Sequence, residues 1–145
     1  MDKKKCIPKN INSTRLVKSE DLNHHGTLFA GRTAEWFVES GFISAATLVN
    51  PKWVVCLKVH GMYFTKPVKL GEMIRFSSKI VYAGRTSLIS HINVTREGDD
   101  VSLVNGFITF IYVNDQTIPT EHCIEITPIT DEDIALYEEA KALKK

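Results

Sequence analysis

The sequence has few of the features that mark membrane, secreted or nucleic-acid-binding proteins. No apolar run reaches the roughly 18 residues that span a bilayer, because charged residues interrupt the longest candidates at Glu35, Glu39, Lys52 and Lys58. The start, MDKKKCIPKN, has no apolar segment behind its basic residues, so a cleaved secretory signal is not expected. The formal net charge is only +1, whereas nucleic-acid binders usually carry a basic excess. We therefore expect a cytoplasmic protein that binds neither a membrane nor nucleic acid.

Motifs for metal, disulfide or nucleophilic cysteine and serine chemistry are also missing. The chain has three cysteines, Cys6, Cys56 and Cys123, which are widely spaced and form no CxxC pair. This odd number and wide spacing predict reduced thiols and no metal site. No Gly-x-Ser-x-Gly elbow is present, which disfavours a serine hydrolase of that type.

The remaining composition is that of an ordinary globular protein. The chain has 145 residues, of which 43% are hydrophobic and 24% charged, enough for one domain with a core of its own. We predict a single domain over residues 1–145, with its core at about 13–120. A C-terminal helix is expected at about 130–143, with Thr130 as its cap.

The hydrophobic pattern predicts one long helix followed by several strands. Residues 31–49 are too long and Ala-rich for a strand and run into Asn50-Pro51, a helix stop. Apolar residues surround most of this helix, which indicates burial on most sides. Strands are predicted at 14–18, 53–64, 72–82, 86–97 and 101–113. In the third of these, alternation places one set of apolar residues on a common face, namely Ile74, Phe76, Ile80 and Tyr82.

These elements predict an α+β fold in which a curved antiparallel sheet wraps around one long central helix. Turn residues between the later strands favour tight antiparallel connections. One such sheet leaves an exposed edge, so pairing of two copies edge to edge is expected.

Two carboxylates within the apolar helix are the first candidate functional groups. Glu35 and Glu39 are one turn apart and share a face, with Arg32 within reach of Glu35. They form either a solvated stripe or a functional pair. Apolar neighbours around Glu39 favour a partly buried carboxylate, which would need a partner or a function and would be a candidate general base.

The loop before the helix and a later turn add further candidates. Asn23 offers an amide that can orient a water or a carbonyl, and His24 and His25 can carry protons or simply form structural hydrogen bonds. Free amides at the helix start, near Gly31, can stabilise an oxyanion. The AGRTS stretch presents Gly84, Arg85, Thr86 and Ser87, which either grip a phosphate or form a plain hairpin turn.

Taken together, these stretches resemble the hot-dog-fold acyl-CoA thioesterases, in particular the cytosolic acyl-CoA hydrolase branch. The resemblance covers about residues 14–120 and rests on NHHGTLFAG (23–31), the F-x-x-Pro-Val-x-x-Gly-Glu stretch (64–72), GRTS (84–87) and FITFIYVN (107–114). It implies a sheet wrapped around the helix, homo-oligomers built from dimers, often a trimer of dimers, and active sites at the dimer interface. The resemblance also implies that the substrate is an acyl-CoA and that no separate cofactor is needed, because coenzyme A is part of the substrate. It further implies that GRTS lies near coenzyme A.

The chain departs from the family pattern at two places. Family members usually have Gly-Gly where this chain has Ala30-Gly31, and an Asp on the helix where this chain has Val38 followed by Glu39. Our hypothesis is a thioester hydrolase in which Glu39 activates water, with Glu35 as the fallback. Asn23 would position the water or the carbonyl, and the Gly31 amide would hold the oxyanion.

The sequence leaves two other hypotheses about function open. A non-hydrolytic acyl-CoA-binding protein would retain the fold without the helix Asp. A hot-dog dehydratase would use a histidine and a helix acid, such as His25 and Glu39, but its HFPG-like context is absent, so we rank it last.

Overall fold

The computed structural model describes residues 2–143. Met1, Lys144 and Lys145, which the single-domain prediction includes, lie outside the described residues. In chain order the elements are β1 (Lys4–Cys6), β2 (Ile11–Leu16), α1 (Ala30–Ala46), β3 (Val54–Val59), β4 (Tyr63–Phe64), β5 (Met73–Ala83), β6 (Ser87–Arg96), β7 (Ser102–Tyr112), β8 (Ile124–Ile126) and α2 (Asp131–Leu143). Single turns of 3₁₀ helix lie at Ser19–Asp21 and Pro51–Trp53.

The main sheet is antiparallel and has the order β2-β5-β6-β7-β3, with β4 also paired to β7. Strands β5, β6 and β7 are the long central ones, and their inward residues form the core together with α1. The predicted α+β arrangement of one sheet against one long helix is therefore confirmed. Its two edges are β2 and β3.

Small side chains face the sheet from α1. The buried residues of this helix are Thr33, Phe37, Ser40, Gly41, Ser44 and Ala45. A Cβ on Gly41 would lie 3.0 Å from the Ile92 side chain, so the glycine permits a close approach of helix and sheet. The Ser78 hydroxyl donates to the Ser40 carbonyl at 2.7 Å, which satisfies a polar group that burial would otherwise penalise.

The prediction that α1 is buried on most sides holds except along one stripe, where Glu35, Glu39 and Ile43 are exposed. Ile43 is 40% exposed, and Trp36, Val38 and Phe42 are only half-buried. The physical reason is that, apart from Phe37, small residues occupy the tight helix–sheet contact, so the other large apolar side chains lie on the flanks.

A β-bulge changes the predicted face of Tyr82. The pairing of β5 with β6 shifts register between Ile80 and Tyr82, and a bulge moves the following residues to the other face. Ile74, Phe76 and Ile80 therefore lie in the main core, whereas Tyr82 packs in a second cluster with α2.

Helix α2 covers part of the outer face of the sheet. Ala140 of α2 is fully buried against a cluster that includes Val81, Ile89 and Phe107. The Thr130 hydroxyl accepts the Asp133 N–H at 3.1 Å, as expected of a cap. Neither helix in residues 2–143 combines the length and apolar character needed to cross a membrane.

Several boundaries differ from the predicted ones. Helix α1 ends at Ala46 rather than residue 49, and the strand predicted at 53–64 is divided into β3 and β4. The parallel pair of β1 with β8 was not predicted, because each strand has only three residues and they lie at opposite ends of the chain.

Candidate functional site

The loop that leads into α1 is closed around the side chain of Asn23. Its Oδ1 accepts the backbone N–H of His25 at 2.8 Å and of Thr27 at 3.2 Å, and its Nδ2 donates to the Thr27 hydroxyl at 3.2 Å. Gly26 has φ +80°, a conformation that favours glycine. Asn23 is thus held in one orientation, half-buried, at the tip of a tight turn.

Asp21 and Arg32 fasten this loop to α1. The Asp21 side chain is 2% exposed, and its Oδ1 lies 3.6 Å from Nε of Arg32. Its Oδ2 accepts the Lys18 N–H at 2.9 Å, and its carbonyl accepts the Phe29 N–H at 2.9 Å. Arg32 was predicted to reach Glu35, but it pairs with Asp21 instead. Helical periodicity does not indicate this contact, because Asp21 lies outside α1.

The N-terminus of α1 is not capped by a side chain. Phe29 is the N-cap residue and makes no side-chain cap hydrogen bond, and the first turn contains no acidic residue. The first amides of a helix have no partner within the helix, so those of Ala30 and Gly31 can bind a carbonyl oxygen or an oxyanion. A Cβ on Gly31 would lie 2.5 Å from the Phe29 ring, so any other residue would displace that ring.

An apolar cavity opens beside Asn23 and the start of α1. We call it the Asn23 cavity; its volume is about 270 Å³. Its polar or charged lining residues are Asn23, Thr33, Thr65 and Lys66, and the others are Leu28, Ala30, Phe64, Pro67, Val68, Ile74, Val94, Leu103 and Val104. The cavity lies between the helix start, the loop before β5, and the adjoining ends of β5, β6 and β7.

Glu39 is not the partly buried carboxylate that its neighbours predicted. Its side chain is 57% exposed, and its Oε1 lies 2.5 Å from the Arg15 guanidinium of β2. Arg15 also lies over the Trp36 ring, 5.2 Å from its centroid. Residue 39 faces the flank of α1 toward β2, which explains the difference. The catalytic role of Glu39 stays a prediction.

Glu35 has a different environment. It is exposed, and within residues 2–143 no hydrogen bond or ion pair involves its carboxylate. It lies one helical turn, roughly 6 Å, nearer to the uncapped end of α1 than Glu39 does. Of the two acids that the sequence placed on one helical face, Glu39 therefore has an ion-pair partner and Glu35 has none within residues 2–143.

His24 and His25 are both exposed at the tip of the Asn23 loop. Their ring centroids lie 3.9 Å apart, with the ring planes tilted by 42°. Within the described residues, no group of three or more His, Cys, Asp or Glu side chains converges to hold a metal ion. The proposed roles of the two histidines stay predictions.

The GRTS stretch forms the turn between β5 and β6. The Gly84 N–H donates to the Ser87 carbonyl at 3.0 Å, and Arg85, 68% exposed, lies 3.7 Å from the Glu121 carboxylate. The plain hairpin geometry is therefore present, with an exposed Arg85 that forms an ion pair at the surface with Glu121. Its proposed contact with coenzyme A stays a prediction.

Thr86 and Ser87 line a second cavity, on the outer face of the sheet, which we call the outer-face pocket. Its volume is about 360 Å³, and Lys58, His60 and Thr109 also line it. The His60 Nε2 lies 2.7 Å from the Thr109 hydroxyl. Burial and the charge of Lys58 lower the pKa of His60 below its ordinary value. The Ser87 hydroxyl is buried and has no hydrogen-bond partner in the described residues.

Within one chain the two predicted parts of the site are far apart. The Asn23 cavity includes Val94 near the end of β6, whereas Ser87 begins that strand. Seven residue steps along β6 lead from Ser87 to Val94, a distance of more than about 20 Å in a strand. One protomer therefore does not bring Asn23 and GRTS together.

Comparisons with known proteins agree with this architecture. A model of the thioesterase superfamily matches residues 25–103. YkhA of Bacillus subtilis strain 168, described as an uncharacterized acyl-CoA thioester hydrolase, is 25% identical over 141 aligned positions, covering 93% of this chain and 80% of that protein.

Solved structures share the fold across nearly the whole chain. An apo hexameric acyl-CoA thioesterase is 27% identical with a TM-score of 0.84, covering 93% of this chain and 88% of that one. An acyl-CoA hydrolase from Staphylococcus aureus, solved with butyryl coenzyme A, coenzyme A and coenzyme A disulfide, is 23% identical with a TM-score of 0.81, covering 92% and 80%. The predicted hot-dog fold is confirmed.

Proposed function

This chain belongs to the thioesterase superfamily, and on that premise we propose that it hydrolyses the thioester of an acyl-coenzyme A to a free acid and coenzyme A. The observation that carries the proposal is the uncapped start of α1 beside Asn23 and an apolar cavity. The amides suit the carbonyl oxygen of a thioester, and the cavity suits its acyl group.

The hydrolysis follows from the groups around that point. Attack of water on the thioester carbon produces a tetrahedral intermediate whose oxyanion the Ala30 and Gly31 amides stabilise. Asn23 orients the carbonyl or the water. A carboxylate of α1 takes the proton of the attacking water, and the C–S bond breaks as coenzyme A leaves and takes up a proton. Coenzyme A enters only as part of the substrate.

Glu35 is the carboxylate that we assign as the general base. Glu39 Oε1 is already paired with the Arg15 guanidinium at 2.5 Å, so an attacking water would have to compete with that cation for the carboxylate. Glu35 has no partner in residues 2–143 and lies closer to the helix start. This proposal moves the expected base by one turn from the position that sequence reasoning favoured.

We propose that the protein works as a homo-oligomer of dimers, paired along β3. This edge carries exposed apolar residues, among them Val55, Leu57 and Val59, whereas exposed polar residues dominate β2. Two β3 strands related by a twofold axis run antiparallel. Since β3 begins at the GRTS end of the sheet and runs toward the Asn23 end, pairing places GRTS of one protomer beside the Asn23 end of its partner.

Three of these dimers would form the hexamer that some relatives are described as forming. GRTS and the outer-face pocket would then bind coenzyme A, with Arg85 exposed to its phosphates. A reducing compartment, the cytoplasm, is part of the proposal.

The decisive experiment measures thiol release and binding together. Acyl-CoAs of several chain lengths are incubated with the protein while free thiol is followed, and the same compounds are titrated by calorimetry. We expect release of coenzyme A with turnover. Tight binding without release of coenzyme A would instead favour a non-hydrolytic acyl-CoA-binding protein. The observation that favours this alternative is Val38, which stands where the family usually has the helix Asp.

A further inference from the structure

The Asn23 cavity has walls that fit one kind of acyl group. Its deepest residues are aliphatic and almost completely buried: Ile74 and Leu103 are 0% exposed, Val94 is 1% and Val104 is 4% exposed. Phe64, at 49%, and Lys66 are exposed and mark the mouth. Among the described residues no charged side chain lines the deep end, so a charged acyl group would lose its hydration there without compensation.

The size of the cavity limits the length of the group. An engineered protein cavity of about 150 Å³ accepts benzene, which has six carbon atoms. A cavity of about 270 Å³ therefore has space for roughly eleven carbon atoms by the same proportion. A chain of sixteen carbons would extend beyond it.

We infer that the Asn23 cavity is the acyl site and that it selects uncharged aliphatic acyl groups of medium length, about eight to eleven carbons. The inference rests on the proposed function, because the thioester carbonyl must lie at Asn23 and the start of α1 for the acyl chain to enter here. Each methylene that enters raises kcat/KM by up to about fourfold, and the gain stops where the cavity ends.

The test compares kcat/KM for acetyl-, butyryl-, octanoyl-, decanoyl- and palmitoyl-CoA, with succinyl-CoA as the charged case. We expect a maximum at octanoyl- or decanoyl-CoA, with palmitoyl- and succinyl-CoA at least about tenfold lower. A maximum at acetyl- or palmitoyl-CoA, or equal values along the series, would overturn the inference.

A double variant tests the location of the site. Val94→Ile with Val104→Ile adds one methylene to each of two cavity walls, so the optimum should move about two carbons shorter. Val81→Ile is the matched control, since Val81 is equally buried but belongs to the cluster on the other face of the sheet. An unchanged optimum in the double variant, or an equal change in the control, would contradict the assignment.

A calorimetric series separates the two proposals. If no acyl-CoA releases thiol, the proposed function fails, and the affinities of the same compounds still test the cavity. Affinity that increases to octanoyl- or decanoyl-CoA, and that the double variant moves to shorter chains, supports the acyl site. Affinity independent of chain length overturns it.

Discussion

At the scale of single residues, Glu35 and Glu39 show how neighbours from other elements decide what a carboxylate can do. Both lie on α1 and both are exposed, but within residues 2–143 only Glu39 forms an ion pair, with Arg15 of β2. That pair occupies one oxygen of the Glu39 carboxylate and links β2 to the helix. Glu35 keeps its carboxylate available for a water molecule.

Replacing Glu35 with Gln should lower kcat for octanoyl-CoA by at least about 100-fold, since removal of a general base typically costs two to four orders of magnitude. KM should change little, because the amide retains the size of the side chain. Thiol release under saturating substrate measures kcat, and thermal unfolding checks that the fold is intact.

Glu39→Gln is the matched control on the same helix. It should lower stability by no more than about 1 kcal/mol, the usual worth of an exposed ion pair, while kcat stays within about threefold of the original. If Glu39→Gln removed turnover and Glu35→Gln did not, the base would be Glu39 as the sequence first suggested.

The residue contacts that the sequence could not predict are those between distant segments. Glu39 and Arg15 are 24 residues apart, and helical periodicity says nothing about the strand that a side chain faces. Asp21 and Arg32 belong to a loop and a helix whose relative placement only the fold determines. Asn23 and Gly31 could be selected because a turn and a helix start are local features.

At the scale of elements, the two edges of the sheet differ in chemistry. On β2 the exposed residues include Asn12, Ser13 and Thr14, and such polar side chains discourage pairing. On β3 all residues after Val54 are exposed, and three of them are aliphatic. An edge of this kind pairs with another strand unless something covers it.

Adding lysines at Val55 and Val59 should therefore dissociate the dimer. Each protomer would bring two positive charges to the joined edge, and like charges on paired strands are destabilising. We expect sedimentation to show a reduced assembly at micromolar concentration. Hydrolysis should decrease with it, because GRTS of the partner is lost from the site.

The control places two lysines on the other edge, at Ser13 and Leu16 of β2. Both residues are exposed, so the added charge is the same. This variant should keep its assembly and its activity. Equal dissociation of both variants would show that β3 is not the specific interface.

The elements themselves were predictable because long strands and helices repeat their pattern many times. Runs rich in β-branched and aromatic residues placed β5, β6 and β7 to within one residue at each end. The interruption of the strand after Val59 and the bulge after Ile80 are single local events, so no repeated sequence pattern indicates them. The inward face of α1 was also missed, because a hydrophobic pattern ranks Trp36 and Phe42 above Ser40 and Gly41, whereas close packing selects the small residues.

At the scale of the whole molecule, α2 and the outer face of the sheet enclose several ionisable groups. Lys79 of β5 is 9% exposed, and its Nζ lies 2.6 Å from the Asp133 carboxylate of α2. The His91 ring of β6 contacts the Phe107 ring at a tilt of 55°, with centroids 4.9 Å apart. Burial, with a smaller contribution from the charge of Lys79, lowers the pKa of His91 to about 4.

That lowered pKa predicts how stability depends on pH. Between about pH 6.5 and pH 4 the unfolded chain binds a proton at His91 that the folded protein does not bind, so the free energy of unfolding decreases on acidification. From pH 7.5 to pH 5 the expected loss from this residue is about 2 kcal/mol. Urea unfolding at both pH values, at one protein concentration, measures it. His91→Gln should reduce the difference by that amount, whereas His25→Gln, which changes an exposed histidine, should leave it intact. An equal pH dependence in His91→Gln and the original protein would contradict the assignment to this half-buried ring.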